Sequence, residues 1–393
     1  MREQATGNRS APDMRAEALV ASYERTGYRR VAPAILQPAD PFLDLSGEDI
    51  RKRMYLTTDP SGRELCLRPD LTIPVSCDYL TSPGRGMPAG FCYLGPVFRH
   101  RPNGPGEFLQ AGIESFGRTD TAATDAEMLA LGLEATSHYG VEAPAIRIGD
   151  VGLFGALIGA LDLAPAWKRK LVKDFNRETI LAHDLERLTL ISNNGRAEYQ
   201  GVLAALAGSD PKAAHALVTD LLSIAGMTAV GGRSVGEIAD RFLEQSALGA
   251  GAGLPRDLRT LIEKFLGVAG DPDGAVAELR TLSASAGVAL DPALDLFESR
   301  TGFLAARGID VSGIRFSTAF GRGLDYYTGF VFELTDPLPH PPPQAGEGRE
   351  GIDALVAGGR YDELLTRLGA GEPIPAVGFA VWIERLAARG AAS

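Results

Sequence analysis

The chain has 393 residues, 45% hydrophobic and 23% charged, which is enough apolar material for two or three folded domains and excludes a disordered or fibrous protein. Its formal net charge of −11 repels phosphate backbones at long range and excludes a general nucleic-acid-binding surface. Three cysteines, Cys66, Cys77 and Cys92, with no CxxC spacing, argue against a disulfide framework and a zinc site, and no metal or cofactor is expected.

No run approaches the ~18 apolar residues of a membrane span. The polar first dozen residues lack an apolar signal core, so the cytoplasm is the expected compartment and residues 1–12 a flexible N-terminus. Residues 13–26 read as a helix with Leu19, Val20 and Tyr23 on one face, ended by Gly27. Strand-like runs follow at 30–35, 65–67, 90–99 and 110–117. Thr124 and Glu127 have the spacing of a capping box, which predicts a helix from there to Tyr139, stopped by Gly140.

The texture changes over 161–305, where Ala- and Leu-rich amphipathic stretches (166–188, 211–225, 234–248, 255–265 and 292–306) predict an inserted helical domain. The glycine-rich run 249–253 follows a helix rather than a strand and lacks GxGxxG spacing, so it reads as a loop. Strand texture returns at 314–319, 329–334 and 354–358, with a proline-rich segment (336–351, including Pro339 to Pro343) expected as a mobile surface loop. A last strand at 376–380 and a helix at 382–389 complete the pattern. The fold class is α+β: an antiparallel sheet made of residues 13–160 and 306–393, interrupted by the helical insertion.

Four segments carry polar residues that are costly without a role. They are Leu67-Arg-Pro-Asp-Leu-Thr-Ile-Pro74, Phe98-Arg-His-Arg-Pro102 with Gln110 and Glu114 beyond it, Gly321-Arg-Gly-Leu-Asp-Tyr-Tyr-Thr-Gly329, and Gly358-Gly-Arg-Tyr-Asp362. Gln110 and Glu114 are four apart, so on a strand they share a face. If the segments meet in one sheet, they supply what a free amino acid needs. One face would then carry Arg99, Gln110, Glu114, Arg322, Tyr326 and Tyr327, with Asp70 and Thr72 at its edge: guanidinium groups pair with a carboxylate, carboxylate and amide oxygens accept from an ammonium, and a further Glu and a Tyr hydroxyl can bond a polar side chain. On spacing alone, capped loops and surface ion pairs explain each segment equally well.

Taken together and in this order, the segments resemble the histidyl-tRNA synthetase family of class II synthetases. Residues 28–33 resemble the end of motif 1, which in that family forms a homodimer interface. Residues 93–117 resemble motif 2, residues 322–327 the histidine-specific signature with 358–362 as its companion, and residues 376–386 motif 3. The resemblance covers about residues 15–150 and 312–388 and implies L-histidine as the ligand of the pocket, with Asp70, Thr72 and Gln110 on its ammonium side, Arg99 and Arg322 facing its carboxylate, and Glu114, Tyr326 and Tyr327 contacting its imidazole.

Three departures separate the chain from that family. Only eight residues follow Arg385, so no anticodon-binding domain and no tRNA partner are expected. Where the family places an acidic residue that contacts adenine, two positions beyond the motif 2 arginine, this chain has Arg101, and its loop 102–106 lacks the family's arginines. Where motif 3 has a glycine beneath the nucleotide, this chain has Trp382. A degenerate nucleotide site at Arg101, Trp382 and Arg385 is therefore expected, with no aminoacylation. A kept amino-acid half beside an altered ATP half resembles the regulatory subunits of short-form ATP phosphoribosyltransferase. That resemblance implies a catalytic-subunit partner in a hetero-oligomer, a role in the first step of histidine biosynthesis, and feedback control by histidine. The alternative is a truncated synthetase-like enzyme that activates histidine or a related amino acid without charging tRNA.

Overall fold

The computed structural model describes residues 14–102, 104–193, 215–220, 254–322, 324, 326–336 and 354–390. The expected helix at 234–248, most of that at 211–225, the loops at 249–253 and 337–351, and the N-terminus 1–12 lie outside the described residues. Two compact units divide the chain: Met1–Leu153, Val268–Arg280 and Asp291–Ser393 make one, Phe154–Gly267 and Thr281–Leu290 the other.

The first unit is a nine-stranded sheet with helices packed on it. Its strands are β1 (Arg29–Val31), β5 (Ala89–Phe98), β6 (Glu107–Phe116), β7 (Ala145–Asp150), β8 (Ala269–Gly270), β9 (Arg315–Ser317), β10 (Phe330–Thr335), β11 (Ala354–Arg360) and β12 (Ala376–Trp382). They lie in the order β1-β5-β6-β12-β11-β10-β7-β9-β8. The centre is antiparallel, as the sequence texture predicts, while β1 runs parallel to β5 and β7 parallel to β9. Strands β2 (Leu36–Pro38), β3 (Tyr55–Thr58) and β4 (Glu64–Leu67) form a second, three-stranded antiparallel sheet.

Helix α1 (Met14–Arg25) buries Ala16, Leu19, Val20 and Tyr23, the face its spacing predicts. Helix α2 (Thr72–Thr81) stands where the sequence reading assigned no element. A proline in the first turn costs no hydrogen bond, since those amides have no intrahelical partner.

Helix α3 (Thr121–His138) corrects the capping-box reading. It begins three residues before Thr124, whose hydroxyl donates to the Asp120 carbonyl (2.9 Å), while Glu127 accepts from Tyr28 (2.6 Å) and pairs with Arg118 (2.8 Å). Helix α4 (Asp291–Ala306), which its texture placed in the insertion, belongs to the sheet unit. Its Arg300 is 1% exposed and reaches Asp125 on α3 (2.9 Å) and Asp150 on β7 (2.8 Å). Arg360 at the end of β11 meets the other oxygen of Asp125 (2.6 Å) and Asp362 (2.9 Å). Two buried guanidiniums thus share one buried carboxylate, and each has a second acid, so the charges are desolvated as a compensated set.

In the second unit, the single helix expected at 166–188 is two helices, Pro165–Asp174 and Glu178–Asn193. The break falls at Phe175, Asn176 and Arg177. Asp174 caps that junction by pairing with Lys170 (2.7 Å) and Arg177 (3.1 Å). No helix among the described residues is long and apolar enough to cross a membrane.

Candidate functional site

The register of the central strands sets the pocket. Gln110 stands opposite Trp382, and Glu114 opposite Gly378. Paired residues and their i±2 neighbours share a face, so Phe108, Gln110, Gly112 and Glu114 run in a line along β6 with Trp382 and Gly378 beside them. The segment around Arg322 to Tyr327, the start of α2 and the Arg99–Arg101 turn stand around this floor. The cavity they enclose has about 780 Å3 of atom-free space, its mouth included. Asp70, Thr72, Arg99, Arg101, Gln110, Arg322, Tyr326, Tyr327, Trp382 and Arg385 all line it. These residues come from segments up to about three hundred positions apart, and the sheet brings them together.

Glu114 is the exception. It is fully buried behind the wall and does not line the cavity. Its carboxyl accepts from Thr72 Oγ1 (2.7 Å) and the Tyr93 hydroxyl (3.2 Å) at one oxygen, and from the Tyr361 hydroxyl at the other. Three hydroxyl donors favour its charged form, but burial outweighs them and pushes its pKa up to about 8. Glu114 therefore keeps its proton to a higher pH than an ordinary carboxyl, and it holds Thr72 and Tyr361 in place. Gly378 is required directly against it, because a Cβ there would overlap the Glu114 carboxylate and the Ile113 carbonyl.

Asp70 is 5% exposed, and its Oδ1 accepts from the Ile73 amide (3.1 Å) in the first turn of α2. Its Oδ2 is buried without a hydrogen-bond partner among the described residues. Burial raises its pKa, against the pull of backbone donors and the Arg99 charge. Arg322 is the counterpart: Nε and Nη1 are buried without a partner among the described residues, and its guanidinium lies 6.0 Å from the rings of both Tyr327 and Trp382. An unpartnered carboxylate oxygen and an unpartnered guanidinium edge in one cavity match the ammonium and carboxylate of an amino acid. Arg99 donates from Nε to the Pro69 carbonyl (2.7 Å), which fixes the side chain at the cavity wall.

Toward the other end, Arg101 lies 3.6 Å from the centre of the Phe108 ring. Trp382, 6% exposed, lines the floor, and Arg385 lies 5.1 Å from its ring while donating to the Ala354 carbonyl (2.7 Å). Sequence reasoning missed Arg53, Phe108, Tyr361 and Gly378 as pocket residues. Tyr361 was within reach, since it lies in the quoted segment 358–362. Arg53 carried no signal, because its helix comes from a stretch with no matching motif.

A sheet of this topology around this pocket defines a histidyl-tRNA synthetase-like protein of class II fold. A sequence model described as histidyl-tRNA synthetase matches residues 9–231 and 215–386. Among solved structures, an ATP phosphoribosyltransferase regulatory subunit/histidyl-tRNA synthetase from Bacillus halodurans superposes with a TM-score of 0.64 at 22% identity, covering 99% of this chain and 83% of that one. A histidyl-tRNA synthetase from Nostoc sp. gives 0.58 at 18% identity, covering 97% and 75%. The chain belongs to the family of ATP phosphoribosyltransferase regulatory subunits. It is 40% identical to that protein of Mesorhizobium japonicum over 91% of this chain and 92% of the relative. It is 39% identical to that of Brucella canis over 90% and 91%.

Proposed function

We propose that this chain is the non-catalytic regulatory subunit of a short-form ATP phosphoribosyltransferase, acting in the first step of histidine biosynthesis through a separate catalytic subunit. The observation that carries this reading is a pocket with amino-acid chemistry at Asp70 and Arg322 and without an acidic base-reading group at Arg101, in a chain 40% identical to a named regulatory subunit. Adenylation requires aligned phosphates and a held base. Arg101 in place of an acceptor and Trp382 in place of a glycine remove the groups that would position them, which argues against the synthetase-like enzyme.

The pocket takes L-histidine, with its ammonium at Asp70, its carboxylate at Arg322 and its ring toward the Tyr326–Tyr327 side. Feedback follows if histidine binds one state of the complex more tightly than the other, since only differential affinity moves an equilibrium. A second copy of the chain docks through the region of residues 28–33, and the complex works in the cytoplasm without tRNA.

Two measurements test this. Addition of the chain to a short-form catalytic subunit is expected to form a complex on gel filtration and raise phosphoribosyl transfer; no complex and no change in rate sinks the proposal. Calorimetry with L-histidine is expected to show binding that Arg322→Ala weakens about ten- to hundredfold, the worth of a charged hydrogen-bonded pair. Binding that survives the substitution refutes the pocket assignment.

A further inference from the structure

Arg68 belongs to the same polar segment as Asp70 and Thr72 but does not line the cavity. It is 4% exposed. Among the described residues no carboxylate pairs with its guanidinium. Its acceptors are two main-chain carbonyls, that of Pro96 for Nε (2.8 Å) and that of Pro33 for Nη1. Burial lowers its pKa, with no acid to oppose the shift. A guanidinium buried on neutral acceptors is costly to keep, and an apolar side chain of that length would fill the same space.

Arg68 joins the two sheets of its unit. Strand β1 pairs with β5 at Phe91 to Tyr93 and then leaves that edge. Beyond this point Nε holds the Pro96 carbonyl, and the Arg68 carbonyl accepts from the Phe98 amide (3.0 Å), so one residue ties two rungs of β5. Pro33 lies in the chain leaving β1. The Arg68 amide donates to the Ile35 carbonyl (2.9 Å), which extends the pairing of β2 with β4 by one residue. Gly95 leaves room for the guanidinium, since a Cβ there would overlap Nη2.

The chain after Arg68 is stiff. Pro69 fixes its own φ and confines the residue before it to extended backbone. The Pro69 carbonyl accepts from Arg99 Nε (2.7 Å), and Asp70 Oδ1 accepts from the Ile73 amide (3.1 Å). A displacement of Arg68 is therefore passed to Asp70, whose buried Oδ2 has no hydrogen-bond partner among the described residues. A carboxylate that must meet an ammonium at hydrogen-bond distance tolerates little displacement.

We propose that Arg68 is a positioning residue for the amino-acid site. Its guanidinium, clamped on the Pro33 and Pro96 carbonyls, fixes the Asp70 carboxylate where the ligand's ammonium arrives, a role that rests on the amino-acid reading of the pocket.

A double-mutant cycle of Arg68→Met with Asp70→Asn, read by L-histidine calorimetry on the full-length chain, tests it. Arg68→Met weakens histidine binding about tenfold where Asp70 is present. In the weaker Asp70→Asn background the same change alters affinity by less than about twofold, because the group it positions is already gone. Arg68→Lys keeps the charge but not the fork, and falls between wild type and Arg68→Met. Urea midpoints show that each variant is folded; where Arg68→Met does not fold, Arg68→Lys carries the cycle. An equal loss in both backgrounds marks general structural damage and overturns the positioning role, as does affinity that no Arg68 substitution changes. A wild-type chain that takes no histidine refutes the amino-acid reading. In that case, or where Asp70→Asn alone abolishes binding, crystal structures of wild type and Arg68→Lys decide. An Asp70 carboxylate displaced by roughly 1 Å or more upholds the tether, and one that stays in place overturns it.

Discussion

Replacing Glu114 with glutamine keeps the shape of a fully buried side chain and removes its ability to ionise. The Glu114 pKa is pushed from an ordinary 4.5 up to about 8, first by burial, against the hydroxyls of Tyr361, Thr72 and Tyr93. Below about pH 4.5 the carboxyl is protonated in the folded and unfolded chain alike, and its contribution is fully present. As pH rises above that, the unfolded chain releases the proton while the folded chain holds it to about 8. Stability is therefore lost with rising pH, at about 1.4 kcal/mol per unit. Glu114→Gln abolishes this loss. Between pH 5.5 and 7.5 the wild-type chain is expected to fall by about 2.5–3 kcal/mol relative to the variant. Asp70, also shifted upward, is present in both and cancels to first order. Urea denaturation of both proteins at several pH values reads the difference directly. A stability difference that does not change across this window refutes the raised pKa of the buried Glu114 carboxyl.

Asp125→Asn leaves the guanidiniums of Arg300 and Arg360, 1% and 4% exposed, facing a neutral amide, and is expected to cost about 3–5 kcal/mol in urea denaturation. A loss below about 1 kcal/mol would show that Asp150 and Asp362 suffice. Trp382→Gly empties the floor of the cavity and is expected to cost about 3–5 kcal/mol of stability, as for other large-to-small core changes. It does not confer histidine-dependent exchange of pyrophosphate into ATP, because Arg101 remains; exchange in the variant would show that Trp382 alone closed the nucleotide site.

The sequence by itself determined the α+β class, helix α1 and most strand positions. Hydrophobic periodicity and turn residues are local, and the burial of Leu19, Val20 and Tyr23 follows from them. It also pointed to part of the pocket lining, because Asp70, Gln110, Arg322 and Tyr326 stand in short segments whose polarity is out of keeping with their apolar neighbours. It misjudged features that depend on a distant partner. Thr124 and Glu127 have a capping spacing but are used otherwise, since Asp120 stands before the helix and Arg118 and Tyr28 claim the glutamate. Helix α4 looked like part of the insertion because nothing in its own pattern announces that Arg300 pairs with Asp125, 175 positions away.

Only the tertiary structure decided what Glu114 does. Its spacing from Gln110 puts both on one face, which suggested two ligand contacts. Gln110 lines the cavity, whereas Glu114 is sealed behind it by Thr72, Tyr93 and Tyr361 from three other parts of the chain. The tertiary structure also gave Arg101 its surroundings. In the sequence it is a cation where a carboxylate belongs. In the fold it lies on Phe108 beside Arg53, at the far end of the same strand face that holds the amino-acid site. Desolvation and charge depend on which groups the sheet brings together, and local pattern carries no record of that.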